Sequence, residues 1–354
     1  MDQHDNGALQ CNWFGADAGR QAIPGDSLLG TVDFAHGLHA MPGPVGAVPR
    51  LTIPMPRFDH DGSSEHGLER WGGSGEITCG QRGFLHYAHN EHVLFGAMSL
   101  EEGDFADGAC GKSPLQRASE AAYRALFALQ DAQGFPHLLR TWNYFATINA
   151  GCHGLERYRQ FNIGRQDACL GSARPVSGKV PAASALGFAA GPLTIYFLTG
   201  RGRMPITLEN PRQVSAWNYP AGYGPRSPTF SRACIAWPGG RPVLFISGTA
   251  SIVGHASLHV GDVLAQTRET LANLAELVKQ ANRVAPEAGF SLEGLCCKVY
   301  LRDARDVQAV HGELLRRLGS AAQLVFLQAD ICRGELAVEI EAVGGSAADF
   351  AVVA

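Results

Sequence analysis

The chain has 354 residues, of which 45% are hydrophobic and 18% are charged, and its formal net charge is −4. This composition supplies a large apolar core and argues against an extensive disordered region. A weakly acidic chain without a run of Lys or Arg is a poor candidate for binding nucleic acid or an anionic membrane. Its length suits two domains.

The most apolar stretch, residues 183–198, is interrupted by Gly187, Gly191 and Pro192 and is too short to span a bilayer. The acidic, polar first residues are unlike a signal peptide. Nine cysteines occur without a C-x-x-C pair, which favours reduced thiols over a disulfide framework or a zinc site. We therefore expect a cytoplasmic protein without a membrane segment and without a metal site.

Gly, Pro and Asp are frequent in the first 50 residues, which predicts loops and one or two edge strands. Residues 92–96 then predict a strand. Residues 114–133 predict a helix, with Ser113 as its N-cap and proline in its first turn. A strand over residues 138–145 and a helix over residues 154–171 follow.

The same order of elements recurs in the second half of the chain. Residues 242–248 predict a strand, residues 260–282 predict a helix, and residues 295–301 predict a further strand. Tyr300 in this last strand occupies the place that Tyr144 has in the first copy. A duplicated α+β unit explains the recurrence.

Residues 329–343 read A-D-I-C-R-G-E-L-A-V-E-I-E-A-V, and most of this stretch alternates like a strand. The alternation places apolar side chains on one face and three carboxylates on the other, those of Glu335, Glu339 and Glu341. Carboxylates that share a face repel one another and favour cations or protons. The pattern alone is compatible with a solvated edge strand or with an acid held in a cleft.

The first copy has no comparable acidic segment. We therefore predict a largely structural domain over residues 1–153 and a domain over residues 154–354 that carries the active site.

Four segments of the second copy resemble the RidA/YjgF superfamily in order and spacing: S-G-T-A-S (247–251), G-D-V-L-A-Q-T-R-E-T-L-A-N-L (261–274), K-V-Y-L-R-D (298–303) and V-E-I-E-A (338–342). The resemblance implies two chorismate-mutase-like α+β domains, each a mixed sheet packed by helices. Residues 323–327 lack the arginine with which the enamine deaminases of that superfamily hold a ketoacid, which argues against simple deaminase activity.

The chain as a whole resembles the chorismatase family. The resemblance rests on R-T-W-N-Y-F (140–145), R-Y-R-Q-F-N-I-G-R (157–165), Y-G-P-R-S-P-T-F-S-R-A (223–233), S-G-T-A-S-I (247–252) and C-R-G-E-L-A-V-E-I-E (332–341). It implies removal of the enolpyruvyl side chain of chorismate, giving pyruvate and either a dihydrodiol or a hydroxybenzoate. No metal and no organic cofactor is implied. Because the first copy would cover surfaces that RidA trimers bury between subunits, we expect a monomer.

Chorismate is a dicarboxylate, and guanidinium groups are suited to bidentate pairing with carboxylates. The candidate substrate-binding residues lie in the aromatic and Gly-rich segments: Tyr158, Arg165, Tyr223, Arg226, Phe230, Arg232 and Gly248. The alternative for the arginines is pairing with acids between the two domains.

Cleavage of a vinyl ether begins with protonation of its terminal methylene carbon, and a carboxylic acid of raised pKa can supply the proton. The resemblance places the catalytic glutamate in V-E-I-E, where we favour Glu339. A cysteine before it, here Cys332, accompanies the branch that forms 3-hydroxybenzoate. A small buried hydrophobic role for this cysteine remains open.

We thus predict a cofactor-independent chorismatase of the 3-hydroxybenzoate synthase type. The alternatives are a hydrolytic chorismatase giving a dihydroxycyclohexadiene carboxylate, a product mixture with 4-hydroxybenzoate, a RidA-like imine deaminase, and a non-catalytic protein that binds a small carboxylate.

Overall fold

The computed structural model of the chain describes residues 9–14, 23–35, 47–59, 63–106, 111–345 and 349–353. Within these residues the strands form three sheets of five, six and eight strands and two short two-stranded pairs. The α-helices are α1 (Pro114–Gln133), α2 (Arg157–Gly171), α3 (Val263–Val284) and α4 (Val307–Leu318). The strands are β1 (Leu9–Phe14), β2 (Leu28–Phe34), β3 (Arg50–Ile53), β4 (Arg57–Phe58), β5 (Ser64–Glu65), β6 (Gly67–Gly73), β7 (Thr78–Arg82), β8 (Leu85–His89), β9 (Val93–Leu100), β10 (His137–Ala146), β11 (Gly151–Cys152), β12 (Leu155–Glu156), β13 (Ala182–Phe188), β14 (Leu193–Gly200), β15 (Ile206–Leu208), β16 (Ala233–Ala236), β17 (Val243–Ala250), β18 (Ile252–Val253), β19 (Ala256–Ser257), β20 (Leu295–Leu301), β21 (Gln323–Gln328), β22 (Val338–Gly344) and β23 (Phe350–Val353).

The first sheet has the strand order β13-β10-β14-β9-β8-β7, and α1 and α2 pack on it. Helix α1 has the bounds that the sequence predicts. The Ser113 side chain accepts a hydrogen bond from the backbone N–H of Gln116 at 3.2 Å, and proline occupies the first turn. The apolar face of α1 is buried in a core that it shares with Phe161 of α2 and with β9, β10 and β14.

The second sheet has the order β15-β16-β17-β22-β20-β21-β4-β5. Helices α3 and α4 cover it, with Leu274, Leu277 and Leu314 buried in the shared core. The sequence analysis predicts α3 and β20 but not α4. Strand β22 pairs with β17 on one side and with β20 on the other. The interpretation of the acidic stretch as a solvated edge strand is therefore wrong.

The third sheet, of order β23-β1-β6-β2-β3, joins strands from both ends of the described chain. Strand β1 runs parallel to β23 and antiparallel to β6. The first 50 residues contain β1 and β2, in agreement with the predicted one or two strands, but each pairs on both sides and neither is an edge strand. The parts of that prediction over residues 1–8, 15–22 and 36–46 lie outside the described residues.

Strands from both sides of residue 153 build the first sheet, since β10 pairs with both β13 and β14. A boundary between β14 and β15 keeps the first sheet whole, whereas the predicted boundary at residues 153 and 154 divides it. The α+β class, with mixed sheets packed by helices, is as predicted.

The first sheet and the second sheet face each other through an aromatic core, to which the third sheet also contributes. This core includes Trp71, Trp142, Tyr144, Tyr196 and Tyr300. The hydroxyl groups of Tyr144 and Tyr300, which the repeat places at equivalent positions, are 2.9 Å apart and hydrogen-bonded. Among the described residues, no helix is long and apolar enough to cross a membrane.

Candidate active site

Glu339 and Glu341 project from the same face of β22, opposite the apolar residues that pack under α3 and α4. Both are buried, with 4% and 3% of their surface exposed. Glu335 lies before the strand, is exposed, and accepts a hydrogen bond from Ser257 Oγ at 2.7 Å. The predicted row of three carboxylates is therefore a pair.

The Glu339 side chain lines a cavity of about 200 Å³, which we call the active cavity. In the sheet register Glu339 lies opposite Ala250 of β17 and Tyr300 of β20. The pairing of β17 with β22 is irregular between Ile246 and Thr249. A bulge of this kind re-aims the backbone and is common beside active sites.

Gly248 lies in this irregular segment, directly against the Glu339 carboxyl group. A Cβ atom at residue 248 would overlap Oε1 of Glu339 and would be 2.8 Å from its Cδ. Ser184 Oγ, which accepts a hydrogen bond from the Gly248 N–H at 3.0 Å, would lie 3.2 Å from that Cβ. Glycine here provides the space that the carboxyl group occupies.

Glu341 is held by four donors from the facing strands. Its Oε1 receives Lys298 Nζ at 2.6 Å and Trp142 Nε1 at 2.7 Å. Its Oε2 receives Arg140 Nη2 at 2.8 Å and Ser184 Oγ at 2.6 Å. A carboxylate with this many donors, two of them cationic, is held in its ionised form.

Lys298 also contacts a second buried acid, with its Nζ 2.9 Å from Oε2 of Glu69. Glu69 accepts further hydrogen bonds from Trp71 Nε1 and from the Tyr196 hydroxyl. Burial alone would lower the pKa of Lys298, but Glu341 and Glu69 outweigh it, and the pKa is raised. The lysine is therefore cationic between its two acids.

The two neighbouring glutamates of β22 consequently differ in protonation. Burial and then the charge of Glu341 raise the pKa of Glu339 to about 8, against smaller opposing effects of Arg140 and Arg232. Burial would also raise the pKa of Glu341, but Lys298 and Arg140 outweigh it and the pKa is lowered. Near neutral pH the site thus holds one carboxylic acid beside one carboxylate.

Cys332 lies in the loop between β21 and β22 and lines the active cavity with Glu339. Burial, followed by the charge of Glu339, raises the pKa of the Cys332 thiol to about 12. The thiol is therefore neutral at physiological pH and is not a nucleophilic thiolate.

Arg232 supplies a buried cation to the cavity. Its Nη2 donates to the Val214 carbonyl and to the Tyr219 hydroxyl, both at 2.8 Å. Its Nε has no hydrogen-bond partner within the described part of the chain. The guanidinium carbon is 5.2 Å from the centre of the Phe230 ring. A buried donor without a partner is suited to an anionic ligand.

Arg333 and Tyr223 form another part of the lining, with the guanidinium carbon 4.3 Å from the tyrosine ring centre. Arg333 Nη1 donates to the His255 carbonyl at 2.9 Å, and the Tyr223 hydroxyl donates to the same carbonyl at 2.7 Å. Arg333 Nη2 is buried and has no partner among the described residues.

Tyr158 lines the cavity from the first turn of α2. Burial and then Cys332 raise the pKa of Tyr158, so its phenol is neutral and can donate a hydrogen bond.

Most of the residues singled out from the sequence line this cavity: Glu339, Cys332, Tyr158, Tyr223, Phe230, Arg232 and Gly248. Arg165 and Arg226 do not. Arg165 follows Tyr158 by two turns of α2, which carries it about 10 Å farther along the helix axis. Arg226 is 46% exposed, with Nη2 3.9 Å from Asp167. Both arginines therefore lie outside the lining of the active cavity.

Arg159, Tyr219 and Arg333 also line the cavity and were not predicted from the sequence. Arg159 directly follows Tyr158, and Arg333 directly follows Cys332. Their positions beside two predicted site residues could have identified them as candidates. Among the described residues, no group of three or more His, Cys, Asp or Glu side chains is arranged to hold a metal ion.

Comparison with known proteins agrees with the geometry. Residues 69–199 match the family described as "Chorismatase FkbO/Hyg5-like, N-terminal". A chorismatase of Streptomyces hygroscopicus is 35% identical over 332 residues, covering 91% of each chain. A 3-hydroxybenzoate synthase of the same organism is 34% identical, covering 90% of this chain and 92% of the relative.

A crystal structure of a chorismatase superposes with a TM-score of 0.84 at 31% sequence identity, covering 96% of this chain and 99% of that chain. Identity at this level over nearly the whole length, together with the shared fold, assigns the protein. The chain belongs to the chorismatase family.

Proposed function

We propose that the protein converts chorismate into pyruvate and 3-hydroxybenzoate. The observation that carries the proposal is the buried Glu339 carboxyl group, which the cavity wall keeps protonated near neutral pH. A vinyl ether needs such an acid, because its terminal carbon is only weakly basic.

In the first step Glu339 donates its proton to the methylene carbon of the enolpyruvyl group. The C–H bond that forms uses the π electrons of the vinyl ether and leaves an oxocarbenium ion. The Glu339 carboxylate and the neighbouring Glu341 carboxylate are the nearby charges that stabilise this cation.

In the second step the ring hydroxyl beside the ether attacks the ether-bearing ring carbon. The ring C–O bond to the side chain breaks, pyruvate leaves, and the hydroxyl proton passes to the Glu339 carboxylate. The resulting arene-oxide-like species opens and loses a ring proton to give 3-hydroxybenzoate. Atoms balance without water, since chorismate contains both products.

The substrate carboxylates would be held by the cations of the lining. Arg232 Nε and Arg333 Nη2 are buried donors without partners in the described residues, and each guanidinium lies over an aromatic ring. Two separated cations suit a dicarboxylate. Tyr158 adds a neutral hydroxyl donor.

The product branch depends on whether water reaches the oxocarbenium carbon. Cys332 places a neutral thiol in the wall beside Glu339, where it excludes water and supports the internal displacement. Hydrolysis, with water capturing the cation, would instead give a dihydroxycyclohexadiene carboxylate.

Incubation of the purified protein with chorismate tests the proposal. Pyruvate should form well above the uncatalysed rate, and chromatography should show 3-hydroxybenzoate in equal amount. A dihydrodiol as the main product would select the hydrolytic branch. Binding of chorismate without pyruvate formation would favour a non-catalytic carboxylate-binding protein and overturn the proposal.

The enzyme should be monomeric and cytoplasmic and should need no added metal or cofactor, as the family resemblance implies. Activity should survive dialysis against a chelator, and light scattering should give the mass of one chain.

A further inference from the structure

A second cavity, of about 160 Å³, lies between α1, the second half of α2 and the segments around residues 174–181 and 204–207. Among the described residues it shares no lining side chain with the active cavity. We call it the basic cavity. The established family membership and the proposed reaction leave it without a role.

All the charged side chains in the described lining of the basic cavity are cationic. Arg165, Arg174 and Lys179 line it together with His137, whereas its lining contains no Asp or Glu from the described residues. Arg174 is paired with Asp131 outside the lining. Lys179 is exposed. The cavity therefore attracts anions.

Two buried polar groups of the lining have no hydrogen-bond partner in the described part of the chain: Nε of Arg165 and Oγ1 of Thr229. Each of the two residues is 3% exposed. The other side of the Arg165 guanidinium is fixed, because Nη2 donates to Asn162 Oδ1 at 3.0 Å. Buried donors left without partners are costly, and an anionic acceptor would remove that cost.

Apart from Gln130 and Thr207, the remainder of the lining is apolar or aromatic and includes Tyr123, Phe127, Leu138, Pro181 and Met204. An apolar cavity of about 150 Å³ is large enough for a single benzene ring. An aromatic ring carrying one carboxylate matches the volume, the apolar walls and the buried donors together.

We propose that the basic cavity binds a small aromatic carboxylate, with Arg165 and Thr229 donating hydrogen bonds to the carboxylate group. The site adjoins the active cavity, since Pro228 and Phe230 line the active cavity while Thr229, between them, lines the basic cavity. The ligand class includes the product of the proposed reaction, but the binding site does not depend on that reaction.

Calorimetric titration of the full chain with 3-iodobenzoate tests the site. The wild type should show a site that Arg165→Gln and Thr229→Val each weaken by about tenfold, the loss expected for one charge-assisted hydrogen bond. Arg232→Gln, which alters the active cavity, should leave that site in place. If Arg165→Gln does not fold, the near-isosteric Thr229→Val decides the question.

Two further measurements determine where 3-iodobenzoate binds and whether binding requires its negative charge. Crystals soaked in 3-iodobenzoate should show the iodine by anomalous scattering in the basic cavity beside Arg165. The neutral 3-iodobenzamide should bind there at least about tenfold more weakly. Iodine density confined to the active cavity, or titrations unchanged by both Arg165→Gln and Thr229→Val, would overturn the proposal.

Discussion

Glu339 and Glu341 are two residues apart on one strand face, yet in the described part of the chain only Glu341 accepts hydrogen bonds from cations. Arg140 and Lys298 both donate to Glu341. Glu339 lies instead against Gly248, where burial and its ionised neighbour keep it protonated. The division of cations between the two acids therefore leaves Glu339 protonated and makes Glu341 a fixed negative charge.

Replacement of the acid tests this division directly. Glu339→Gln should lower kcat by at least about 100-fold, the usual contribution of a positioned general acid. Pyruvate release from chorismate gives the rate. The matched control is Glu313→Gln on α4, a buried glutamate that pairs with Arg268 on the far side of the second sheet. Retention of more than a tenth of the wild-type rate in Glu339→Gln would move the acid role to another residue.

The pH profile should report the raised pKa of Glu339. Because the protonated form is active, kcat/KM should be constant near neutrality and fall as pH rises through about 8. Glu341→Gln removes the negative charge that raises this pKa, so the fall should begin at lower pH. An unchanged upper limb in Glu341→Gln would contradict the electrostatic coupling.

Gly248→Ala should disable the site while preserving the fold. The added methyl group must displace the Glu339 carboxyl group, and a displacement of about 1 Å can cost about 100-fold in rate. Steady-state kinetics and a thermal melt measure the two effects separately. Gly312→Ala in α4, where an added Cβ meets nothing within 4 Å, should retain full activity. Normal turnover of Gly248→Ala would show that the close approach is not needed.

Cys332→Ala should change the products more than the rate. Loss of the thiol opens space beside Glu339, so the share of the hydrolytic dihydrodiol should rise while pyruvate formation continues. Chromatography of the ring products measures the ratio. The control is Cys79→Ala in β7, a half-buried cysteine outside the active cavity. An identical product ratio in Cys332→Ala would remove the thiol from branch control.

Stability should depend on pH through the same carboxyl group. The folded-state pKa of Glu339 lies above its unfolded value, so the favourable contribution is complete below about pH 4.5 and is lost as pH rises through about 8. Glu339→Gln lacks this loss and should become relatively more stable across that window, by an amount on the order of a few kcal/mol. Urea unfolding of both proteins at pH 5 and pH 8 measures it. If the difference in unfolding free energy between the wild type and Glu339→Gln were the same at pH 5 and pH 8, the raised pKa of Glu339 would be contradicted.

Local patterns predicted well wherever the signal lay within one segment. The cap, the proline and the apolar spacing fixed both ends of α1, and β20 has its predicted bounds. The acidic stretch showed that Glu339 and Glu341 share a face, because strand alternation has a period of two.

Long-range pairing could not be predicted in this way. The position of β22 between β17 and β20, and the third sheet made from both ends of the described chain, depend on contacts between distant segments. Arg165 shows the same limit within a site. It lies on the predicted helix, but the distance along the axis places it in another cavity.

The duplicated unit also permits an asymmetry that identical subunits cannot have. Counting back two residues from the paired Tyr144 and Tyr300 gives Trp142 in one copy and Lys298 in the other. Both side chains reach Oε1 of Glu341, at 2.7 and 2.6 Å. A two-fold homodimer would place the same side chain at both positions. Joining the copies in one chain lets an uncharged indole and a cation meet at a single oxygen, and so sets the charge beside the proposed catalytic acid.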